Sequence, residues 1–347
     1  MRAVVLNGAH DLSVETVDDP VLTGSDAIIV EVERTAICGS DLHLYHGDMA
    51  MPGVHLGHEF VGSVVEVGND VRTVSVGDRV LVSGVVGCGR CSECRTGWPM
   101  RCLEAASQVF GTSLELPGGQ AEFVTVPAAD ASVRVIPEHV GVEQAVLLTD
   151  ILPTGFIGAR RADIAPGSTV AVIGLGPVGI CALRSAMLYS PARVLAVDPV
   201  AHRRAHAERL GAEVIDPADG GAMAQILEAT GGRGADAVIE AVGHDQTIND
   251  AIMSVKPGGT VSVVGVSMNL AHPFPMAIAM FKGITFRICV ADIPSTWDNL
   301  IPLVANGRLH PEDVFTHHMG LSEAAEAYRI FDGRDDGVMK ILLDPRS

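Results

Sequence analysis

Four cysteines lie within the fifteen residues 88–102 and strongly constrain how this part of the chain can fold. Their spacing is C-x2-C-x2-C-x7-C, at Cys88, Cys91, Cys94 and Cys102. Four thiolates this close along a chain can surround Zn²⁺ as a closed tetrahedron, which is the arrangement of a structural zinc site. A ferredoxin-type iron–sulfur run instead has a last gap of three residues and a proline after its final cysteine. The spacing therefore favours a structural zinc lobe over an iron–sulfur cluster or redox thiols, and it indicates no particular chemistry.

The length and charge of the chain narrow the class of protein. A chain of 347 residues exceeds what one hydrophobic core usually supports, so we expect two domains. The net charge of −18 argues against nucleic acid or an anionic membrane as a partner. The N-terminal run MRAVVLNGAHDLSVE has no apolar signal core, and no apolar run approaches the ~20 residues of a membrane helix. We expect a cytoplasmic protein whose thiols stay reduced.

The hydrophobic pattern changes near residue 150. Before it, short runs such as AIIVEVERTAI and FVGSVVEVG predict an all-β, barrel-like domain. After it, apolar strands alternate with helical stretches, which predicts a parallel sheet covered on both faces. The final run VMKILLDP predicts a strand that returns to the first domain. We expect domains at 1–151, with the zinc lobe at about 86–104, and at 152–289, followed by a return segment at 290–347.

A glycine pattern follows the first strand of the second domain. Gly174-x-Gly176-x-x-Gly179 comes directly after VAVIG and opens a helix. In a dinucleotide-binding turn the first glycine allows a tight turn, the second admits the pyrophosphate, and the third lets the helix pack on the strand. The pattern alone is also compatible with an ordinary tight strand–helix turn.

Asp198 supplies the second half of this fingerprint. It ends the strand VLAVD, 24 positions after Gly174. A carboxylate there can accept hydrogen bonds from both hydroxyls of the adenosine ribose and repel a 2′-phosphate, so we predict NAD rather than NADP. Arg203 and Arg204 follow closely and could weaken this preference.

A second possible metal site lies in the first domain. Cys38 stands in AICGSDLHLYHG, and His58 and Glu59 stand in LGHEFVG. A thiolate and an imidazole with one carboxylate suit Zn²⁺ and leave a fourth position open. Taken singly, the cysteine could be a small buried apolar residue and the histidine a core residue. Their occurrence together, in a chain that already has a zinc lobe, favours a ligand pair.

The order of these motifs resembles that of the zinc-dependent medium-chain alcohol dehydrogenase family. The likeness rests on Cys38-Gly-Ser-Asp, Gly57-His58-Glu59, the cysteine lobe and the glycine turn, and it covers essentially the whole chain. It implies a GroES-like β-barrel catalytic domain that holds both zincs, a Rossmann domain with a doubly wound parallel sheet for the cofactor, and a cleft between them. It also implies a homo-oligomer, with a tetramer favoured over a dimer.

The resemblance implies roles for individual residues. Cys38, His58 and Asp150 would bind the catalytic zinc, and Asp150 resembles the ligand of the bacterial secondary-alcohol branch. Glu59 would bind this zinc or lie behind its ligands, and Ser40 and His43 would relay the substrate proton to solvent. Lys340 would lie near the cofactor pyrophosphate and Arg203 along the adenosine. The full set of implied cofactor-binding residues is Thr154, Gly174, Gly176, Pro177, Val178, Gly179, Asp198, Arg203 and Lys340.

The implied activity is the NAD-dependent oxidation of an alcohol, assisted by one of two zincs. Five apolar residues in the segments expected to line the cleft favour a small to medium primary or secondary alcohol as substrate: Met49, Met51, Phe110, Met276 and Met280. A polyol, threonine or formaldehyde dehydrogenase of the same family is the alternative. A non-catalytic, cofactor-binding protein on this scaffold is a further one, although such members lack the ligands of the first site.

Overall fold

The computed structural model describes residues 1–48, 51–104, 106–218 and 220–347. Met49, which the sequence assigned to the substrate wall, lies outside the described residues. The strands in the described part are β1 (Arg2–Gly8), β2 (Asp11–Thr16), β3 (Ile28–Ala36), β4 (Glu59–Val67), β5 (Arg79–Val82), β6 (Val85–Val86), β7 (Gln108–Val109), β8 (Phe123–Val126), β9 (Val133–Val135), β10 (Thr169–Ile173), β11 (Arg193–Val197), β12 (Glu213–Ile215), β13 (Ala235–Glu240), β14 (Val255–Val263), β15 (Thr285–Ile288), β16 (Phe315–Gly320) and β17 (Lys340–Asp344).

The helices lie in the segments between these strands. The α-helices in the described part are α1 (Asp41–Tyr45), α2 (Ser92–Arg95), α3 (Ala129–Ser132), α4 (Val142–Leu147), α5 (Ile151–Arg161), α6 (Pro177–Met187), α7 (Ala201–Arg209), α8 (Ala222–Ala229), α9 (Asp245–Ser254), α10 (Met276–Lys282), α11 (Trp297–Ala305) and α12 (Ala324–Gly333). Short 3-10 turns cover Pro99–Arg101, Ile293–Thr296, Pro311–Val314, Leu321–Glu323 and Asp335–Gly337. Every helix in the described residues is too short or too polar to span a lipid bilayer.

The chain forms two units. Unit 1 comprises Met1–Pro153 and Asp292–Ser347, and unit 2 comprises Thr154–Ala291. In unit 2, six strands form a sheet in the order β12-β11-β10-β13-β14-β15, with parallel pairing throughout. This is the strand order of a doubly wound dinucleotide-binding sheet. Strand β10, TVAVI, is buried along its whole length, because helices can cover both faces of a parallel sheet. The predicted parallel sheet is confirmed.

Unit 1 is built around a mainly antiparallel sheet of seven strands. Its order is β16-β17-β3-β4-β5-β9, and β8 also pairs with β3. The C-terminal strand β17 pairs antiparallel with β3, with Leu342 opposite Ala36, and so brings the end of the chain into unit 1. Helix α12 buries one stripe, at Ala324, Ala327 and Tyr328, the spacing of an amphipathic helix. The two sheets confirm the predicted fold class of a β unit and a doubly wound α/β unit.

Phe110 belongs to the core of unit 1. The sequence placed it in a substrate wall, but its side chain is fully buried. It packs edge-on against Phe60, with ring centroids 5.2 Å apart. The wall assignment of Phe110 is therefore wrong, because its apolar surface is already used in packing the sheet.

Gly62 in β4 provides a test of the packing of this sheet. A Cβ at this position would lie 2.0 Å from the carbonyl oxygen of Glu31 in β3, and sheet backbone cannot move away cheaply. We expect Gly62→Ala to lower the free energy of unfolding by ~1–3 kcal/mol, the usual cost of overpacking. The matched control is Gly8→Ala in β1, where an added Cβ meets no described atom within 4 Å. Denaturant unfolding of both variants measures the difference, and equal midpoints would contradict the expected clash.

Candidate active site

The four cysteines of the lobe converge, with one ligand atom from each within 4.8 Å of the others. Backbone N–H groups point at the sulfurs: Cys91 N donates to Cys88 Sγ at 3.4 Å, and Cys94 N donates to Cys91 Sγ at 3.5 Å. Cys88 Sγ and Cys94 Sγ are 3.9 Å apart. Sulfurs around tetrahedral Zn²⁺, with Zn–S bonds of about 2.3 Å, would be separated by roughly 3.8 Å. The donor set and its spacing therefore fit a zinc ion.

The protonation of two of these thiols depends on burial and on backbone N–H groups. Burial opposes ionisation of Cys102, but backbone N–H groups, that of Cys88 first among them, outweigh burial and lower its pKa to about 6. At Cys94 burial has the largest effect and raises the pKa to about 12. The N–H groups of the loop thus favour the thiolate form of Cys102, and a bound cation would favour it further.

A second cluster of possible metal ligands is brought together by the register of two strands. Ala36 of β3 lies opposite Glu59 of β4, so Cys38, two residues beyond β3, is close to His58, the residue before β4. Asp150 lies between α4 and α5 in the same unit. One ligand atom from each of Cys38, His58, Glu59 and Asp150 lies within 4.8 Å of the others. Four residues separated by up to 112 positions therefore form a single cluster.

The distances in this cluster suit a small cation. Asp150 Oδ2 is 3.4 Å from His58 Nε2 and 3.6 Å from Cys38 Sγ. These separations match the edges of a tetrahedron with zinc–ligand bonds of about 2.0–2.3 Å. Cys38 and His58 are buried, whereas the Asp150 side chain remains 19% exposed. A thiolate, an imidazole and a carboxylate are the ligand types that zinc takes.

Ser40 is directed at the same cluster. It precedes α1, and its Oγ is 3.1 Å from His58 Nε2 and 3.3 Å from Cys38 Sγ. His43 lies one turn further along α1 and is partly exposed, with its Nδ1 3.0 Å from Asp48 Oδ2. The Nδ1 contact with a carboxylate favours the tautomer that keeps Nε2 available as a proton acceptor.

Asp41 is a residue that the sequence analysis did not assign. Its Oδ1 is 3.1 Å from His58 Nδ1, and its Oδ2 accepts a hydrogen bond from the backbone N–H of Cys38 at 2.9 Å. Burial opposes a charge on His58, but Asp41 and Cys38 raise the pKa of that imidazole well above its usual value. Asp41 therefore orients the His58 ring, a role that carboxylates often have behind metal-binding histidines. The Cys-Gly-Ser-Asp run contained this signal.

Lys340 lies directly behind the second cluster. Its side chain is fully buried in unit 1, where Nζ donates to Glu59 Oε1 at 2.6 Å and to the carbonyl oxygen of Ile37 at 3.0 Å. The ammonium is therefore already paired within unit 1, and its expected place near the cofactor pyrophosphate stays a prediction. Glu59 Oε2 is buried and has no hydrogen-bond partner among the described residues, so it is left as a possible ligand atom.

The glycine turn in unit 2 has the backbone that a dinucleotide fold needs. Gly174 has φ +89°, a conformation that favours glycine. A Cβ on Gly179 would lie 1.8 Å from the carbonyl oxygen of Gly174, so only glycine fits this crossing of strand and helix. Gly176 precedes α6, and Pro177 occupies its first turn, where its missing N–H is harmless. The remaining N–H groups in the first turn of α6 are donors of the kind that bind an anion at a helix N-terminus.

Asp198 and Arg203 lie beside this turn. Asp198 is buried, and its two oxygens accept hydrogen bonds from the backbone N–H groups of Leu175 and Val200, each at 2.8 Å. The Arg203 guanidinium is 3.8 Å from Asp198 Oδ2 and lies close to Gly176. Each carboxylate oxygen keeps a second lone pair that a ribose hydroxyl can use.

The other predicted cofactor residues and the second arginine are placed as follows. Thr154 lies in α5, and Val178 lies in the first turn of α6; both are half-buried. Arg204 binds the backbone oxygen of Asp198 at 2.8 Å and Asp216 at 2.6 Å. The guanidinium of Arg204 is therefore already engaged by two acceptors.

Comparisons with known proteins agree with this arrangement. Two family models match: the alcohol dehydrogenase GroES-like domain over residues 24–138 and the zinc-binding dehydrogenase domain over residues 177–306. The "Probable zinc-binding alcohol dehydrogenase" of Mycobacterium tuberculosis is 48% identical over 348 residues, covering 100% of this chain and 89% of that protein.

Two solved structures have the same fold. The alcohol dehydrogenase TADH from Thermus sp. ATN1 has a TM-score of 0.92 and 37% identity, and the match covers 99% of each chain. A structure from Sinorhizobium meliloti 1021, bound to NADP, has a TM-score of 0.86 and 30% identity, again over 99% of each chain. The chain therefore belongs to the zinc-dependent medium-chain alcohol dehydrogenase family, as the order of its motifs predicted.

Proposed function

We propose that this oxidoreductase is an NAD-dependent zinc alcohol dehydrogenase. It would interconvert small to medium primary or secondary alcohols with the corresponding aldehydes or ketones. The observation that carries the proposal is the cluster of Cys38, His58 and Asp150 with the Ser40 hydroxyl directed at it. A zinc bound there would polarise the alcohol oxygen and lower its pKa, and a bound nicotinamide would accept the hydride.

The chain's own residues would bind the metal, transfer a proton and exclude water. Cys38, His58 and Asp150 are the proposed ligands, and two anionic ligands would balance the charge of Zn²⁺. Glu59 is proposed as an exchangeable ligand through its unpaired Oε2. Burial of Cys38 and His58 keeps bulk water from the inner face of the site, which strengthens every charge interaction there.

Ser40 and His43 are proposed to carry the proton away from the alcohol. The Ser40 hydroxyl can accept that proton while it donates its own to the next group. His43 is held on the same turn, since its backbone N–H donates to the Ser40 carbonyl oxygen at 3.2 Å. Asp48, which contacts His43 Nδ1, would stabilise the imidazolium formed when Nε2 takes up the proton.

We propose a second, structural zinc in the lobe of Cys88, Cys91, Cys94 and Cys102, and hence two zincs per chain. The closed set of four thiols leaves no position for a substrate, so this ion would contribute to folding alone. Since both zinc sites need reduced thiols, the cytoplasm is the proposed compartment.

The proposed preference for NAD rests on Asp198 at the end of β11. A buried carboxylate beside the glycine turn can accept the ribose hydroxyls, and it would repel a 2′-phosphate. Arg203 would weaken this preference for NAD, because its positively charged guanidinium lies close to the carboxylate and to Gly176 and would attract a 2′-phosphate. The Sinorhizobium structure contains NADP, so both cofactors belong in the assay.

The substrate class is proposed from family membership. Of the apolar wall residues predicted from the sequence, Phe110 lies in the core and Met51 packs against a core cluster, while Met276 and Met280 are exposed in unit 2. The proposed activity can be separated from its alternatives by assaying a panel of substrates and measuring NADH by its absorbance. The panel consists of primary alcohols, secondary alcohols, polyols, threonine and formaldehyde. No turnover with any of them, together with intact cofactor binding, would favour the non-catalytic alternative.

We propose a homo-oligomer, with a tetramer favoured over a dimer. Strand β15 ends the sheet of unit 2, and large apolar side chains near it are exposed, including Phe281 at 85% and Ile288 at 60%. An exposed sheet edge with an apolar patch is typical of a surface covered by another chain.

Removal of one lobe thiol tests the structural zinc. Cys94→Ser is expected to lose one equivalent of zinc and to melt at a lower temperature without a change in the reaction product, because the closed site contributes folding free energy. The matched control is Cys289→Ser, because Cys289 belongs to none of the groups of possible metal ligands in the described residues. Metal analysis and thermal unfolding provide the readout, and full zinc content at an unchanged melting temperature would rule out a structural zinc here.

Asp150→Asn tests the proposed reactive site. The substitution keeps size and an oxygen but removes a charge that balances Zn²⁺, so turnover should fall on the order of 100-fold or more. NAD affinity should persist, because the glycine turn and Asp198 belong to unit 2. Asp18→Asn, an exposed aspartate of unit 1, controls for the loss of charge. Turnover close to that of Asp18→Asn would make Asp150 an ordinary turn residue.

Asp198→Ala tests the choice of cofactor. The ratio of kcat/KM for NAD over NADP should shift toward NADP by ~1–3 kcal/mol, the scale of lost hydrogen bonds to a charged group. A ratio is the appropriate measure, because the substitution also removes acceptors for two backbone N–H groups and would weaken binding of both cofactors. Equal losses for both would mean that Asp198 supports the turn without contacting the ribose.

A further inference from the structure

We propose that His10, His46 and Asp332 form an additional site for a divalent transition metal, of which Zn²⁺ is the expected occupant, on the surface of unit 1. One ligand atom from each residue lies within 4.8 Å of the others. His46 Nε2 and Asp332 Oδ1 are already in contact, at 2.7 Å. The cluster shares no residue with the two sites described above.

The three residues come from three separate elements. His10 lies in the tight turn between β1 and β2, His46 directly follows α1, and Asp332 lies in α12. The positions of His46 and Asp332 in the chain differ by 286 residues. A metal bound here would therefore connect a hairpin, a short helix and a C-terminal helix that are distant in the sequence.

Tyr45 holds the two histidines in place. The backbone N–H of His10 donates to the Tyr45 carbonyl oxygen at 2.6 Å, and the His10 ring lies edge-on to the Tyr45 ring with centroids 4.9 Å apart. The His46 ring centroid is 5.2 Å from that of His10. Tyr45 is buried and packs on Tyr328 of α12, the helix that carries Asp332. A rigid buried pair thus supports all three ligands, as a functional metal site requires.

The ligand set defines the class of metal. Two imidazoles and one carboxylate suit Zn²⁺ and its neighbours Cu²⁺, Ni²⁺ and Co²⁺, and they leave at least one position for water. Around a tetrahedral zinc with bonds of 2.0–2.2 Å, ligand atoms are separated by roughly 3.3 Å. The His46–Asp332 contact would open by a few tenths of an ångström and His10 would move inward. All three side chains are at least partly exposed, so packing does not oppose these rotations.

Occupancy would stabilise the segment that carries the proposed proton relay. Helix α1 begins beside Ser40, includes His43 and ends beside His46. A metal that binds the folded chain but not the unfolded one raises the free energy of unfolding by RT ln(1 + [M]/Kd), where [M] is the concentration of free metal. This effect would add to that of the two other zincs and does not depend on turnover.

Metal titration of the full chain tests the proposal. The protein, with its tightly held zinc retained, is passed over a chelating resin and titrated with ZnCl₂, and bound metal and melting temperature are measured. The variants are His10→Asn and Asp332→Asn. Asparagine tolerates the left-handed backbone of His10, which has φ +57°, and at position 332 it can still hydrogen-bond to His46. His318→Asn is the matched control, since His318 is exposed and pairs with one carboxylate, Glu143, at 2.8 Å.

We expect the wild type and His318→Asn to bind one more equivalent of Zn²⁺ than either cluster variant. The metal should also raise the melting temperature of the wild type and of His318→Asn, and both cluster variants should lose this rise. With Cu²⁺, the electron paramagnetic resonance spectrum of the wild type should contain hyperfine coupling to two imidazole nitrogens, and that of His10→Asn to one. Equal stoichiometry in all four proteins would overturn the proposal, as would an extra equivalent that survives in both cluster variants. Unchanged turnover and melting of the variants before metal addition exclude a folding defect as the cause.

Discussion

The buried ion pair between Lys340 and Glu59 is the interaction on which the proposed active site depends. Both side chains are completely buried, and a pair of charges removed from water costs several kcal/mol unless geometry and hydrogen bonds compensate. Here Lys340 also binds the carbonyl oxygen of Ile37, so one ammonium joins β17, the end of β3 and the start of β4. Cys38 and His58 emerge from those two strand ends. Loss of either charged partner would leave the other uncompensated directly behind them.

The pair also sets the electrostatics of the cluster. Burial, followed by the charge of Glu59, raises the pKa of the Cys38 thiol. Burial raises the pKa of Glu59 as well, while Lys340 opposes that shift. The cluster thus contains more potential anions than cations, an excess that a bound divalent ion would balance. Asp41 completes the arrangement from the other side by orienting His58. The geometry and the charge therefore indicate the same type of occupant, a metal that prefers thiolate, imidazole and carboxylate.

Several features could be predicted from the sequence because their determinants are local. Strands such as TVAVI are continuous apolar runs, and the turn after it depends on glycines only five positions apart. The predicted fold class and the family are confirmed for the same reason: the motifs are short, and their order along the chain is distinctive. Asp41 was within reach of such reasoning, because it lies three residues after Cys38, but a carboxylate next to a ligand pair has many possible roles. Only its 3.1 Å contact with His58 distinguishes them.

The sequence by itself determined the four-cysteine lobe, the alternation of strand and helix in unit 2, and the candidate ligands Cys38 and His58. Each of these depends on residues close together in the chain. Tertiary structure alone decided that Lys340 pairs with Glu59, 281 positions away, and that Phe110 packs in the core. It likewise brought His10 and Asp332 to His46. Such contacts depend on strand register and helix packing between distant segments. No spacing in the sequence encodes them, because a lysine or a histidine has the same local preferences whichever partner it contacts.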